Sequence, residues 1–411
     1  MNNFINDFLT KFLTVTRGNA KISQTSEIGT PPIREINKPA TDSFACPYCA
    51  SRNFVKRGFR QKKLEKVQLY LCLDCNKTFT EQITKGKHYP LPVIFDAISI
   101  YNLGYSLEET CRIVNHRDTL SEDMTISATT LSNWLVETKE LCRFERMREY
   151  AIKKYSPKDM VVHTTLAHRQ LYRYRFHRAK CELVIQDDFK HRRFGPLQEF
   201  LEMVPSECPH QYFQDGQRAS EKPLTFSKTQ MIVRSKQNFA TRLATFVLQS
   251  VKDRKLRHDA LQKFMLANDT VTVATEVPIY ITKDDIEHMQ TQLNFEIFGD
   301  VPKLITGHID FLQIRNGQIH ILDYKPNAGK VQPIEQLTLY AMALSRLTGL
   351  RLFEFKCAWF DEKDYFEFYP LHVLHKPKRT SRKRKVYTME GIYDINKDEK
   401  KISSVRPIEK L

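Results

Sequence analysis

The chain has 411 residues, a net charge of +16 and 41% hydrophobic residues. That length predicts two to three domains with real cores, and no apolar run approaches the ~18 residues of a membrane span. The positive excess favours a polyanionic partner, most simply nucleic acid.

The N-terminal stretch MNNFINDFLTKFLTVTR lacks a basic n-region and a small-residue cleavage site, so no signal peptide is expected. Of nine cysteines, four sit in two CxxC pairs and five are scattered. This usage predicts a reducing compartment and a metal site, not a disulfide framework. A cytoplasmic, nucleoid-associated protein is the expected setting, and a homodimer is left open.

Residues 1–43 read as an N-terminal helix and linker. Phe4, Ile5, Phe8, Leu9, Phe12 and Leu13 share one helical face. Residues 17–43 carry Gly, Ser, Thr and prolines without periodicity. In residues 44–88, Cys46-Pro-Tyr-Cys49 and Cys72-Leu-Asp-Cys75 are separated by 22 residues. Two such knuckles bring four thiolates into the tetrahedron that structural Zn²⁺ accepts. Arg52, Lys56, Arg57, Arg60, Lys62 and Lys63 lie between them, followed by the strand-like Val67–Leu71. The expectation is a zinc ribbon with a basic loop.

Residues 89–150 read as a helix-turn-helix unit. Ile94, Ala97, Ile98 and Tyr101 form one stripe, broken by Asn102-Leu103-Gly104. Ser106 with Glu109 predicts a capping box for a second helix. After a polar insertion over 115–125, Ser127 caps a third helix carrying Leu131, Trp134 and Leu135. That order suits a last helix entering a major groove. The ribbon followed by these helices, over roughly residues 43–145, resembles the N-terminal region of insertion-sequence transposases. The resemblance implies DNA recognition and a following RNase-H-like domain with a DDE triad. Residues 151–227 offer Asp187, Asp188 and Asp215 but no clear alternating strands. They read instead as a connecting region of interleaved basic and aromatic residues such as His168, Tyr172, Arg173 and Tyr174, suited either to a phosphate backbone or to ordinary packing. Cys208-Pro209-His210 is read as no metal site, because a lone Cys and His do not make one.

Residues 228–370 carry the chemistry. Helical stripes (Leu243, Phe246, Val247; Leu261, Phe264, Met265) precede an alternating strand, Val271–Ile281, which places Glu276 opposite Val273, Val277 and Ile279. Asn316-Gly317 between two apolar runs is a strong hairpin signal. A two-residue turn there pairs Arg315 with Gln318 and sets Asp310 opposite Asp323. Facing carboxylates repel, and a hard divalent cation between them, Mg²⁺ or Mn²⁺, is the simplest reason for the pair. Lys325 leaves the same strand face as Asp323. Two carboxylates, a metal and a lysine suit phosphodiester hydrolysis. Pro333 opens a further helix that stacks Gln336 on Tyr340, and Gly349 ends it. Two strands, 353–360 and 365–369, follow.

Gly307-His-Ile-Asp310, Asp323-Tyr-Lys325 and Gln336-Leu-Thr-Leu-Tyr340 resemble the G-x-x-D, D-Y-K and Q-x-x-x-Y motifs of the PD-(D/E)XK nuclease superfamily, in its RecB-like branch. The resemblance implies an α/β restriction-endonuclease-like core with a mixed central sheet. It implies catalytic Mg²⁺ or Mn²⁺ on Asp310 and Asp323, with Lys325 serving the nucleophile. It further implies that His258 helps hold the metal, that Glu276 joins the site, and that Gln336 and Tyr340 position DNA. An iron–sulfur cluster is excluded, since Cys357 is the only cysteine past the hairpin. Residues 371–411 read as a basic tail, with seven basic residues in Lys376–Lys385.

The expectation is thus a multidomain α+β protein: zinc ribbon, helix-turn-helix and nuclease core. It would be a metal-dependent DNA endonuclease of mobile-element or genome-defence origin. The alternatives are a transposase and a non-cleaving DNA-binding regulator with a relic core.

Overall fold

The computed structural model describes residues 46–80, 89–116, 125–375, 385–388, 391–394 and 405–406, apart from 47, 50, 62–65, 222, 227–231, 236–237 and 252. The expected N-terminal helix, the linker, the polar insertion over 117–124 and most of the basic run fall outside these residues. The chain divides into two compact units, residues 1–90 and 91–411.

In the first unit, β1 (Phe54–Gln61), β2 (Lys66–Cys72) and β3 (Thr78–Thr80) form an antiparallel sheet in that order. Phe54 meets Tyr70 and Phe79 edge-on, each at 5.4 Å between ring centroids. Among the described residues the apolar core here is small, which calls for another source of stability, and the cysteines are placed to supply one.

The second unit is built on a nine-stranded mixed sheet. Its strands in chain order are β4 (Val161–His168), β5 (Gln170–His177), β6 (Gln217–Arg218), β8 (Val233–Ser235), β9 (Thr272–Thr282), β11 (Leu304–Arg315), β12 (Gln318–Tyr324), β13 (Phe355–Phe360) and β14 (Tyr365–Phe368). The order across the sheet is β4-β5-β9-β11-β12-β13-β14-β8, with β6 added beside β11. The small strands β7 (Thr225–Phe226) and β10 (Ile297–Phe298) pair with each other. β11 and β12 pair antiparallel with Arg315 opposite Gln318 and Phe311 opposite Leu322. Asn316 and Gly317 both take positive φ, 54° and 70°, as a twist-matched two-residue turn requires. β12 and β13 run parallel, so a crossover must join them. Helix Ile334–Thr348 supplies it, burying Leu337, Ala341 and Leu344 on the sheet and ending at Gly349 with φ 69°.

Three features depart from the expected domain plan. Residues 161–177 are not a connector: β5 pairs with β9, Arg175 opposite Thr275 and Phe176 opposite Ala274. Tyr174 and Phe176 point inward into the core that holds Val273 and Ala274. The alternating Arg173 and Arg175 lie on the opposite face of the strand, paired with Asp259, and this basic alternation hid the strand. Helices Leu91–Asn102, Leu107–Asn115 and Ala128–Thr138 do form, and Ser106 and Ser127 accept from the backbone N–H of Glu109 and Thr130. Yet the first of them shares the second unit's core. Phe95 packs on Phe246 and Phe264 at 4.7 and 5.3 Å, and Asn102 Nδ2 donates to Asn268 Oδ1 at 2.7 Å. Finally, the tail contains an antiparallel sheet of β15 (Lys385–Thr388), β16 (Gly391–Asp394) and β17 (Val405–Arg406). Valine, isoleucine and tyrosine in these segments favour strand, a signal the flanking basic run obscured.

Candidate active site

Three adjacent central strands each deliver one carboxylate to the same place. Continuing the observed registers puts Glu276 of β9, Asp310 of β11 and Asp323 of β12 in a row across the sheet. Asp310 and Asp323 lie within hydrogen-bonding reach of each other. Glu276 has φ 52°, the left-handed region that an L-residue enters at a cost. Such strain persists only where the surroundings impose it, and Gln262 Nε2 holds the Glu276 carboxylate at 2.7 Å.

The electrostatics follow from crowding three acids in a poorly solvated place. Burial, then the Asp310 charge, pushes the Asp323 carboxyl well above the ordinary range. The same two causes raise Glu276 to about 7. Burial is the largest influence on Asp310 too, but the His258 hydrogen bond and charge, the Asp323 hydrogen bond and the Lys325 charge together outweigh it and lower that carboxyl. His258 Nδ1 lies 3.3 Å from Asp310 Oδ2, and the Tyr324 N–H donates to the same oxygen at 3.2 Å. Burial lowers His258, yet the Asp310 hydrogen bond and charge raise it on balance. Lys325 Nζ forms an ion pair with Asp323 Oδ2 at 2.8 Å. Burial disfavours its charge, and the two aspartates more than restore it.

Gln336 and Tyr340 reach the site from the crossover helix, joined by a 2.8 Å bond from Gln336 Nε2 to Tyr340 Oη. Gly307 explains its own place in the motif: a Cβ there would sit 2.3 Å from Tyr340 Cε1. The absent side chain makes room for the tyrosine ring. A cleft of about 350 Å³ opens beside the row, lined by His258, Glu276, Asp310, Gln336 and Tyr340 among others. Asp323 lies behind it, 4% exposed.

Sequence reasoning missed Gln262, His308 and Arg218, and it named Tyr172 only as part of a basic and aromatic stretch with no tie to the carboxylates. Gln262 lies one turn after His258 on helix Arg257–Asn268 and touches both Glu276 and the Asp310 carbonyl. That four-residue spacing was an available signal. Tyr172, His308 and Arg218 line the cleft, with Tyr172 stacked on His308 at 3.5 Å and bonded to Arg218 at 2.6 Å. Only His308, two residues before Asp310, had a local clue. Asp187 and Asp215 end two separate helices, Arg178–Asp187 and His210–Asp215.

Residues 210–395 match the family model of the PD-(D/E)XK nuclease superfamily. No curated protein and no solved structure gives a match to the chain. The matched span holds every strand that carries a site carboxylate. The mixed sheet is consistent with the restriction-endonuclease-like fold of that superfamily, and it extends beyond the matched span through β4 and β5.

The four ribbon cysteines form a cluster in the first unit. Cys46 and Cys75 sulfurs are 3.7 Å apart, and those of Cys49 and Cys72 are 3.5 Å apart. Tetrahedral thiolates with ~2.3 Å Zn–S bonds stand ~3.8 Å apart. The cluster is therefore compatible with zinc. Among the described residues, no helix is long and apolar enough to cross a membrane.

Proposed function

We propose that the chain is a metal-dependent DNA endonuclease of the RecB-like branch, brought to DNA by an N-terminal zinc ribbon and a helix-turn-helix. The observation that carries the catalytic reading is the row Glu276–Asp310–Asp323 with Lys325 bonded to its last member. Three crowded carboxylates, two with raised pKa, are a donor set that a hard divalent cation such as Mg²⁺ or Mn²⁺ satisfies and neutralises. Asp310 and Asp323 would hold it, with Glu276 as a further donor. When bound, the ion supplies positive charge against the phosphate and acidifies water. Lys325 holds and orients the attacking water through its ammonium and steadies the developing phosphorane charge. His258 fixes the Asp310 carboxylate through Nδ1, which makes it a positioning residue in this arrangement. Gln336 and Tyr340 form the cleft wall that the DNA backbone meets. The net charge of +16 supports a polyanionic substrate, and a mobile-element or genome-defence setting fits the ribbon-plus-nuclease combination.

The test uses plasmid and linear DNA with Mg²⁺, Mn²⁺ or neither. Wild type should cleave only with the ion. Asp323→Asn should lose both cleavage and ion-induced thermal stabilisation. Lys325→Ala should keep the stabilisation and lose cleavage, because an ammonium is no ligand. A Lys325→Ala protein that cleaves at the wild-type rate overturns the catalytic assignment. Unimpaired DNA binding by wild type with no cleavage under any ion points to the regulator instead.

A further inference from the structure

A second group of metal-ligand side chains lies at the other end of the cleft, away from the carboxylate row. His168, Cys208 and His210 bring one ring nitrogen or sulfur each to within 4.8 Å of one another. They come from two segments: the end of β4 carries His168, and the turn between helix Gly195–Glu207 and helix His210–Asp215 carries Cys208 and His210. His168 Nε2 is 2.9 Å from His210 Nδ1, and Cys208 Sγ is 3.9 Å from the same His168 Nε2. Around a tetrahedral zinc ion with ordinary bond lengths, such N···N and N···S separations are ~3.3 and ~3.6 Å. The two pairs that share His168 differ from these values by only a few tenths of an ångström, and Cys208 and His210 lie within 4.8 Å of each other.

The surroundings are built to hold these atoms together. The β4–β5 hairpin turns at Arg169, which adopts φ 60°. Its guanidinium donates to the Gln214 and Gly216 carbonyls at 2.8 and 3.1 Å, and Gln214 Nε2 returns a bond to the Ala167 carbonyl at 2.8 Å. These three bonds lash the hairpin tip to the segment that carries His210. The His168 ring is 2% exposed and lies flat on Phe213, 4.0 Å away and 8° from parallel. Its other nitrogen, Nδ1, is 2.8 Å from His308 Nε2. A proton on Nδ1 donated to His308 leaves the Nε2 lone pair facing Cys208 and His210. This is how a ligand histidine is oriented by a second partner.

We propose that His168, Cys208 and His210 bind a zinc-class transition-metal ion that clasps the hairpin tip to helix His210–Asp215 at the rim of the cleft. One thiolate and two imidazoles select Zn²⁺ or Co²⁺ over Mg²⁺ or Mn²⁺, which want oxygen. Three protein ligands leave one tetrahedral position for water. Through His308, two residues before Asp310 on β11, the clasp would reach the wall of the catalytic cleft without touching the reacting atoms. It stands independently of the nuclease reading, since its ligands and its ion differ from those of the carboxylate row.

The experiment counts metal on the full-length chain and its variants. Wild type should carry one more zinc than Cys208→Ser or His210→Ala, both accessible enough to leave the core intact. Cys72→Ser should lose a different zinc, and Cys72→Ser/Cys208→Ser should lose both. In cobalt-loaded protein, Cys72→Ser should retain a thiolate-to-Co²⁺ charge-transfer band that the double variant lacks. Unchanged zinc content in Cys208→Ser and His210→Ala, or no such band in Cys72→Ser, overturns the site and leaves only a hydrogen-bonded histidine cluster. Neither readout depends on cleavage, so its failure is separable from failure of the nuclease assignment.

Discussion

Replacing Gly307 with alanine tests whether the G-x-x-D and Q-x-x-x-Y motifs form one packed unit. The new Cβ would lie 2.3 Å from Tyr340 Cε1, against ~3.5–4.0 Å for an ordinary carbon contact. The ring has little freedom to retreat, since Tyr340 is 6% exposed and its hydroxyl accepts the 2.8 Å bond from Gln336. Overpacking of this kind costs about 1–3 kcal/mol, and losing the Gln336 bond adds about 1 kcal/mol. Urea unfolding should therefore show Gly307→Ala destabilised by roughly 2–4 kcal/mol. Both tryptophans, Trp134 and Trp359, lie in the second unit, so their fluorescence reports that unit alone. In a Tyr340→Ala background the clash is gone, and the same glycine substitution should cost almost nothing. The double-mutant cycle isolates the contact. An equal cost of Gly307→Ala in both backgrounds would refute the packing argument.

The remaining expectations concern charge, metal and DNA. With no added Mg²⁺ or Mn²⁺, the raised Glu276 pKa makes the folded state hold a proton that the unfolded chain gives up. Its contribution is therefore full below pH 4.5 and is lost as pH rises towards about 7. A carboxyl moved that far corresponds to roughly 3 kcal/mol, so Glu276→Gln should flatten the stability profile across that window, and an unchanged slope in chemical denaturation would contradict it. Cys72→Ser should release the first unit's zinc, seen by metal analysis, while the tryptophan unfolding midpoint of the second unit stays put. DNA affinity should fall steeply with salt, and deleting residues 1–90 should weaken binding while leaving a folded second unit; undiminished affinity would remove the ribbon from DNA contact. Deleting residues 1–150 is expected to destabilise the second unit, because it strips Phe95 and Asn102 from its core, and a native-like unfolding midpoint would count against that packing.

What was legible in the sequence was local. The Asn316-Gly317 turn fixes a register over a few residues, and that register alone places Asp310 against Asp323. The caps at Ser106 and Ser127 are likewise bonds across three residues. What stayed hidden depends on distant pairing. Tyr172 joins the cleft because β5 lies beside β9, a contact between residues about a hundred positions apart, and the basic and aromatic residues around Tyr172 give no sign of that pairing. His168 sits beside Cys208 and His210 for the same reason, so Cys208-Pro209-His210 looked like an isolated pair. The domain plan failed where a short-range pattern was read as a boundary. Helix Leu91–Asn102 has the stripe of a free-standing bundle, yet it is apolar enough on further faces to be enclosed by a second set of helices.

The position of β5 also decides where this protein can be cut. The family match begins at His210, which invites a fragment starting there. Such a fragment would lack the strand that covers one side of β9, exposing the backbone N–H and C=O groups around Ala274 and Thr275. A long, apolar strand with an open edge is a template for pairing with other copies. Val273, Val277 and Ile279, all buried in the intact sheet, would border that edge. A fragment cut at residue 210 should therefore self-associate where one beginning at residue 91 stays dispersed.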